Sequence, residues 1–200
     1  MGWLKLKEYG LKEAYIRKLM KEFGAYSDMF IASNFNLFSD KFKSTLEKVD
    51  KVDVSRILET HNKSSVRIIS AKDNEYPSDI KKLVDFPTFL YVKGNEMHRE
   101  RKIAVVGTRK VTKFGKASCE KIVKDLLEYD ITIVSGLAEG IDTIALNIAV
   151  QKNNNPIAIV GTGLDIVYPF ENREIWEKIG REGTIISEYP LGTSAQKWNF

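Results

Sequence analysis

The stretch Ile103–Asp142 restricts the possible folds more than any other part of this chain. Ile103-Ala104-Val105-Val106 is a short, β-branched run of the kind that forms a buried parallel strand. It stops at Gly107-Thr108-Arg109, and a helical pattern follows from about Phe114 to Tyr129. Ile131-Thr132-Ile133-Val134 is the next strand, ending on the small residues Ser135-Gly136. Strand, basic helix and strand make a βαβ unit, and such units bind ligands at the carboxyl ends of their strands.

The alternation continues. Further strands are predicted at 157–160 and 184–187, with helices at about 140–152 and 171–181. Three successive crossovers of this length imply an α/β fold with a parallel, doubly wound sheet and right-handed connections. Upstream, Val66–Ser70 reads as a short strand, Asp73-Asn74-Glu75-Tyr76-Pro77 as a break, and Ser78–Leu83 as a brief amphipathic helix. The strand Phe89–Val92 then ends at Lys93-Gly94-Asn95. Earlier still the pattern is helical. Leu11, Ile16, Leu19, Met20 and Phe23 recur at near-helical spacing with Gly24 as a C-cap, and further helices are predicted at Asp28–Ala32, Ser39–Val49 and Val54–Asn62. The expected division is a small helical domain, 1–68, and a larger α/β domain, 69–200, with the boundary in the stretch 62–75.

Composition excludes several classes. With 43% hydrophobic and 29% charged residues the chain is an ordinary globular protein able to bury a core. No apolar run approaches a transmembrane helix, the first residues lack the apolar core of a signal peptide, and Leu6 breaks a myristoylation pattern. The lone Cys119 forms no internal disulfide, which points to a reducing, cytoplasmic compartment. Charge is unevenly spread: residues 93–124 carry 10 Lys/Arg against 3 Asp/Glu, whereas 125–200 carry 5 against 11. The basic block surrounds the first strand of the βαβ unit and its helix, so it reads either as a solvated helix face or as a phosphate-binding rim.

The strand ends carry the candidate chemistry. At Gly107-Thr108-Arg109, glycine lets the backbone approach an anion, threonine adds a hydroxyl, and arginine adds a planar fork suited to phosphate. Its spacing is neither the dinucleotide fingerprint nor a Walker loop. Ser135–Asp142 ends the second strand, with Asp142 read as a helix cap. Gly161-Thr162-Gly163-Leu164-Asp165 ends the third, leading through Tyr168-Pro169 and Glu171-Asn172-Arg173 into a helix, and Ser187–Gly192 ends the fourth. The shared donor chemistry suits phosphates, and no acid stands where NAD would need one for its ribose.

The catalytic inventory is thin. His61 and His98 fall outside the loops and read as surface residues; Cys119 reads as core. Glu139, Asp142 and Glu188 are the available carboxylates, with nothing to set them against a nucleophile. Phe114, Tyr168 and Trp198 read as core packing before stacking platforms. No metal cluster or cofactor motif is legible, and the chain reads as no enzyme.

The ordered set Val106–Arg109, Ser135–Asp142, Gly161–Asp165 with Tyr168-Pro169, Glu171–Arg173, and Ser187–Pro190 with Gly192 resembles the DprA/Smf family of bacterial DNA-processing proteins. Tyr76-Pro77 and Leu90–Asn95 resemble that family's lead-in, and Lys18–Gly24 its N-terminal SAM-like or helix-hairpin-helix-derived module. The resemblance implies an extended Rossmann-like domain that binds single-stranded DNA, dimerises and loads the RecA recombinase in natural transformation of competent cells. Carried over by position, the DNA- and phosphate-binding residues would be Gly107, Thr108, Arg109, Lys110, Lys113, Ser135, Gly136, Leu137, Gly140, Gly161, Thr162, Gly163, Asn172 and Arg173. Arg109 would be the chief charged contact. Asn147 stands where the family has a histidine, so no role of that imidazole carries over. The family also continues past an arginine-rich Asn-Phe-Pro-x-Arg-Asn-Arg segment, while this chain stops at Trp198-Asn199-Phe200, an expectation of truncation. The alternative is a nucleoside-monophosphate phosphoribohydrolase on a similar sheet. Its Pro-Gly-Gly-x-Gly-Thr-x-x-Glu segment is missing here.

Overall fold

A computed structural model describes residues 1–97 and 101–199. Its helices are α1 (Gly2–Glu8), α2 (Glu13–Glu22), α3 (Ala32–Phe35), α4 (Asp40–Val49), α5 (Val54–Lys63), α6 (Lys113–Leu126), α7 (Ile141–Gln151) and α8 (Arg173–Glu182). Its strands are β1 (Val66–Ser70), β2 (Phe89–Gly94), β3 (Arg101–Ala104), β4 (Ile131–Ser135), β5 (Ile157–Val160) and β6 (Thr184–Ser187). The chain forms two compact units, one of Met1–Thr60 with Ser78–Phe89 and one of His61–Pro77 with Leu90–Phe200.

In the second unit the strands order as β1-β2-β6-β5-β4-β3. Strands β3 to β6 are mutually parallel and β2 runs antiparallel to β6. The fold is therefore α/β with a mostly parallel sheet, as the alternation implied, and it is Rossmann-like, as the family resemblance implied. Each parallel step advances in chain order, so right-handed crossovers lay α6, α7 and α8 side by side, with α7 touching both neighbours. The core follows from this layering. Leu146 and Val150 of α7 join Ala158, Ile185, Trp176 and Ile179, while Ala145 and Ala149 join Ile133 of β4 and Cys119 and Val123 of α6.

Several boundaries differ from the periodicity. The first parallel strand is Arg101–Ala104, not 103–106: its ladder is set by pairing with Ile131–Val134, which leaves Val106 70% exposed. In β5 the apolar run faces both ways, burying Ala158 and Val160 while Ile159 stays 45% exposed. Helix α2 ends at Glu22, and the residue after it, Phe23, is extended, so Gly24 is no left-handed cap. The helix expected at Asp28–Ala32 is a 3₁₀ turn, Tyr26–Phe30, followed by the short α3. That expected at Ser78–Leu83 is only a 3₁₀ turn, Ile80–Lys82. His61 is not at the surface: it is buried and stacks on Tyr91 with ring centres 5.2 Å apart. His98 lies outside the described residues.

Candidate nucleic-acid interface

The parallel strands β3 to β6 bring four loops to one edge of the sheet. The first loop is held from below. A Cβ on Gly107 would stand 2.7 Å from the Ile141 side chain, so only glycine fits that approach. Thr108 closes its own turn, its Oγ1 accepting from the Lys110 amide at 3.1 Å. Helix α6 then starts on Thr112, whose Oγ1 accepts from the Gly115 amide at 3.0 Å.

The second loop is clamped against the first. Gly140 adopts φ +87°, and a Cβ there would fall 2.2 Å from the Thr108 carbonyl oxygen. The Ile141 amide donates to that same carbonyl at 3.2 Å. Asp142 completes the clamp in a way that sequence reasoning missed. It is not the helix cap, since Gly140 holds that position; its buried carboxylate accepts from the Gly136 amide at 3.0 Å and from the Gly107 amide at 3.4 Å. Two of the backbone donors expected to meet a phosphate are thus committed to an internal anion.

The remaining candidates divide by burial. Ser135 is buried and donates to the Val105 carbonyl at 2.6 Å. Leu137 is fully buried at φ +55°, and its carbonyl accepts from Asn172 Nδ2 at 2.8 Å. Asn172, also buried, donates to Thr143 Oγ1 as well, which in turn donates to the Ala138 carbonyl. Gly161, Thr162 and Gly163 are buried: Thr162 Oγ1 donates to the Ile166 carbonyl, and the Gly163 amide to that of Thr193. Thr108, Arg109, Lys110, Lys113 and Arg173 are exposed. Arg173 is ion-paired with Glu177 at 3.0 Å, whereas the side chains of Arg109, Lys110 and Lys113 have no hydrogen-bond or ion-pair partner among the described residues.

Arg109 lines a small notch of about 30 Å³ with Gly136, Ala138, Glu139, Tyr168 and Pro169. Tyr168 is 43% exposed, and Phe114 and Trp198 are 82% and 80% exposed, so none of the three packs in the core. Phe170, two residues after Tyr168, is a further exposed ring at 69% that the sequence reading passed over. Cys119 lies in the core as expected, and burial, followed by the Glu120 and Asp142 charges, pushes its thiol pKa up. Among the described residues no group of His, Cys, Asp or Glu could hold a metal ion, and no helix is long and apolar enough to cross a membrane. The arrangement offers unpartnered cations and exposed rings at a rim, with its acids either inside the scaffold (Asp142) or beside the cations (Glu139).

Comparison with known proteins matches residues 67–200 to the family model described as DNA recombination-mediator protein A. The chain is 38% identical over 150 residues to the Synechocystis protein Smf, covering 72% of this chain and 38% of that one. It is 33% identical to the Streptococcus pneumoniae DNA processing protein DprA, covering 98% of this chain and 70% of that protein. The X-ray structure of that pneumococcal protein superposes with a TM-score of 0.79 at 31% identity, over 100% of this chain and 71% of the other. A Helicobacter pylori DNA processing protein A, whose structure concerns its single-stranded DNA binding mode, gives 0.60 at 29% identity, over 68% of this chain and 60% of that one.

Proposed function

The chain belongs to the DNA recombination-mediator protein A family, and on that premise we propose that it binds single-stranded DNA along the carboxyl edge of β3 to β6. The observation that carries this is the cluster Arg109, Lys110 and Lys113, three exposed cations without internal partners at the start of α6. They are the groups able to meet successive phosphates, with Thr108 beside them, while the buried Ser135, Leu137, Gly161–Gly163 and Asn172 shape the loops from below. Gly136 and Gly140 bring the second loop to the first. The Helicobacter relative's single-stranded DNA binding supports the ligand class. Contacts of this kind are to the backbone, so binding is nearly independent of sequence and weakens with salt.

The protein has no chemical step of its own in this reading. It acts in the cytoplasm, holding a strand for a recombinase of the RecA type as a homodimer, a role that the family resemblance suggests. Fluorescence anisotropy with labelled oligo-dT at two salt concentrations tests the reading. Arg109→Ala is expected to cost on the order of 1–3 kcal/mol and to reduce the salt dependence. Binding that the substitution leaves unchanged moves the site off this edge. Release of ribose 5-phosphate from AMP that is lost in Glu139→Gln or Glu188→Gln would instead favour the hydrolase alternative.

A further inference from the structure

Beyond the notch, two open grooves of about 550 and 570 Å³ lie side by side on the α/β unit and share Lys93, Gly180 and Arg181. The first begins at Phe170, the residue after the notch-lining Tyr168-Pro169, and runs along one stripe of α8. Arg173, Glu177, Gly180 and Arg181 recur there at i, i+4, i+7 and i+8, the spacing of a single helix face about 12 Å long. The second groove continues past Lys93 to Arg67.

The charges along this trough are unequal. Arg173 is neutralised by Glu177, and Arg67 is paired with Glu75 while its Nη2 donates to the Asn95 carbonyl at 3.2 Å. The side chains of Lys93 and Arg181 have no hydrogen-bond or ion-pair partner among the described residues. Two uncompensated cations therefore stand where the grooves join. Gly180 stands beside them inside a helix, where glycine is less favourable than alanine. Its missing side chain leaves the floor open: a Cβ there would lie 3.8 Å from Lys93 Cε, so the lysine stem rests over the gap. A concave trough with free cations in its middle and the exposed rings of Tyr168 and Phe170 at its mouth suits a phosphodiester chain with unpaired bases.

We propose that this trough is a second stretch of the single-strand path, in which Lys93 and Arg181 hold phosphates of nucleotides lying beyond the notch. The inference rests on the DNA reading given above. It predicts a dependence on oligonucleotide length. The double variant Lys93→Ala/Arg181→Ala should bind oligo-dT of about 4 nucleotides as the unchanged chain does, and oligo-dT of about 16 nucleotides about tenfold more weakly. Its salt slope on the longer strand should fall by about 1.4, the value for two lost phosphate contacts on single strands. Gly180→Glu, which puts a carboxylate beside both cations and repels a phosphate there, should reproduce the loss without removing either cation. Circular dichroism melts that match the unchanged chain establish that each variant is folded.

Long and short strands weakened equally, or neither weakened while Arg109→Ala weakens both, would overturn the trough and leave the notch standing. No binding of either oligonucleotide by the unchanged chain would overturn both readings together. Inorganic tripolyphosphate is the control for a free polyanion. If it binds through Lys93 and Arg181 while strand length has no effect, the trough is a small-anion site and the strand path is wrong.

Discussion

Arg109 and Glu139 line the same notch with opposite charges, and this sets the sign of a test at the residue scale. A phosphate drawn to the guanidinium also meets the repulsion of a nearby carboxylate. Glu139→Gln removes that repulsion without changing the side chain's size, so oligo-dT affinity should rise about two- to fivefold at low salt and less at high salt. A fall in affinity in the same titration would mean that Glu139 orients the cation instead of opposing its ligand. The residues that resemblance singled out separate here by burial. Those with exposed side chains at the rim, Thr108, Arg109, Lys110 and Lys113, were recognisable by type and by position after an apolar run. Thr162 and Asn172 were equally recognisable, but their side chains close hydrogen bonds within the protein, to Ile166, Leu137 and Thr143. Residue type alone does not say whether a donor points outward or inward.

At the scale of elements, the strand-end loops owe their shape to contacts between turns that are distant in sequence. Asp142 ties the loop after β4 to the loop after β3, 35 residues earlier. Asp142→Asn keeps the volume but offers one acceptor oxygen where the carboxylate has two, leaving a glycine amide facing an NH₂ group. The expected cost is about 1–3 kcal/mol, or a melting temperature lower by several degrees for a chain of this size; an unchanged calorimetric melt would show that the two bonds add nothing. The helices and strands were legible because each carries its own period, and the helix starting on Ser39, whose Oγ accepts from the Phe42 amide, had its cap written in the sequence. Register was not. Strand β3 begins two residues before its apolar run because the ladder with β4, and not hydrophobicity, decides which residues pair. The 3₁₀ turn at Ile80–Lys82 likewise falls short of the helix that its pattern allowed.

At the scale of the whole molecule, the helical unit is assembled from two separated segments, Met1–Thr60 and Ser78–Phe89. Its fastening is polar. Glu13 accepts from Lys7 Nζ at 2.6 Å, from the Thr88 amide at 3.0 Å and from Thr88 Oγ1 at 2.6 Å, while Arg17 donates to the Phe86 carbonyl at 2.8 Å and lies 5.7 Å over its ring. Burial pushes the Glu13 carboxyl up, but the Lys7 ammonium and the hydrogen bonds from Lys7 and Thr88 outweigh it and leave the pKa below its ordinary value of 4.5. A depressed carboxyl pKa contributes stability that is complete above the unfolded value and is lost as pH falls through the folded one. Glu13→Gln should therefore lower the melting temperature at pH 7 and flatten its decline between about pH 5 and 3; parallel curves for the two proteins would refute the linkage. By itself the sequence determined the α/β alternation, the longer helices and the strands of the parallel sheet, and the basic block around β3 and α6, because period, turn chemistry and charge are local properties of the chain. Only the tertiary structure decided which glycine amides are already taken by Asp142, that His61 is buried, that Phe114, Tyr168 and Trp198 are exposed, and that Lys93 and Arg181 line the same grooves beside Gly180. Those outcomes depend on which distant segments are brought within a few ångströms of each other, and no local pattern encodes such distances.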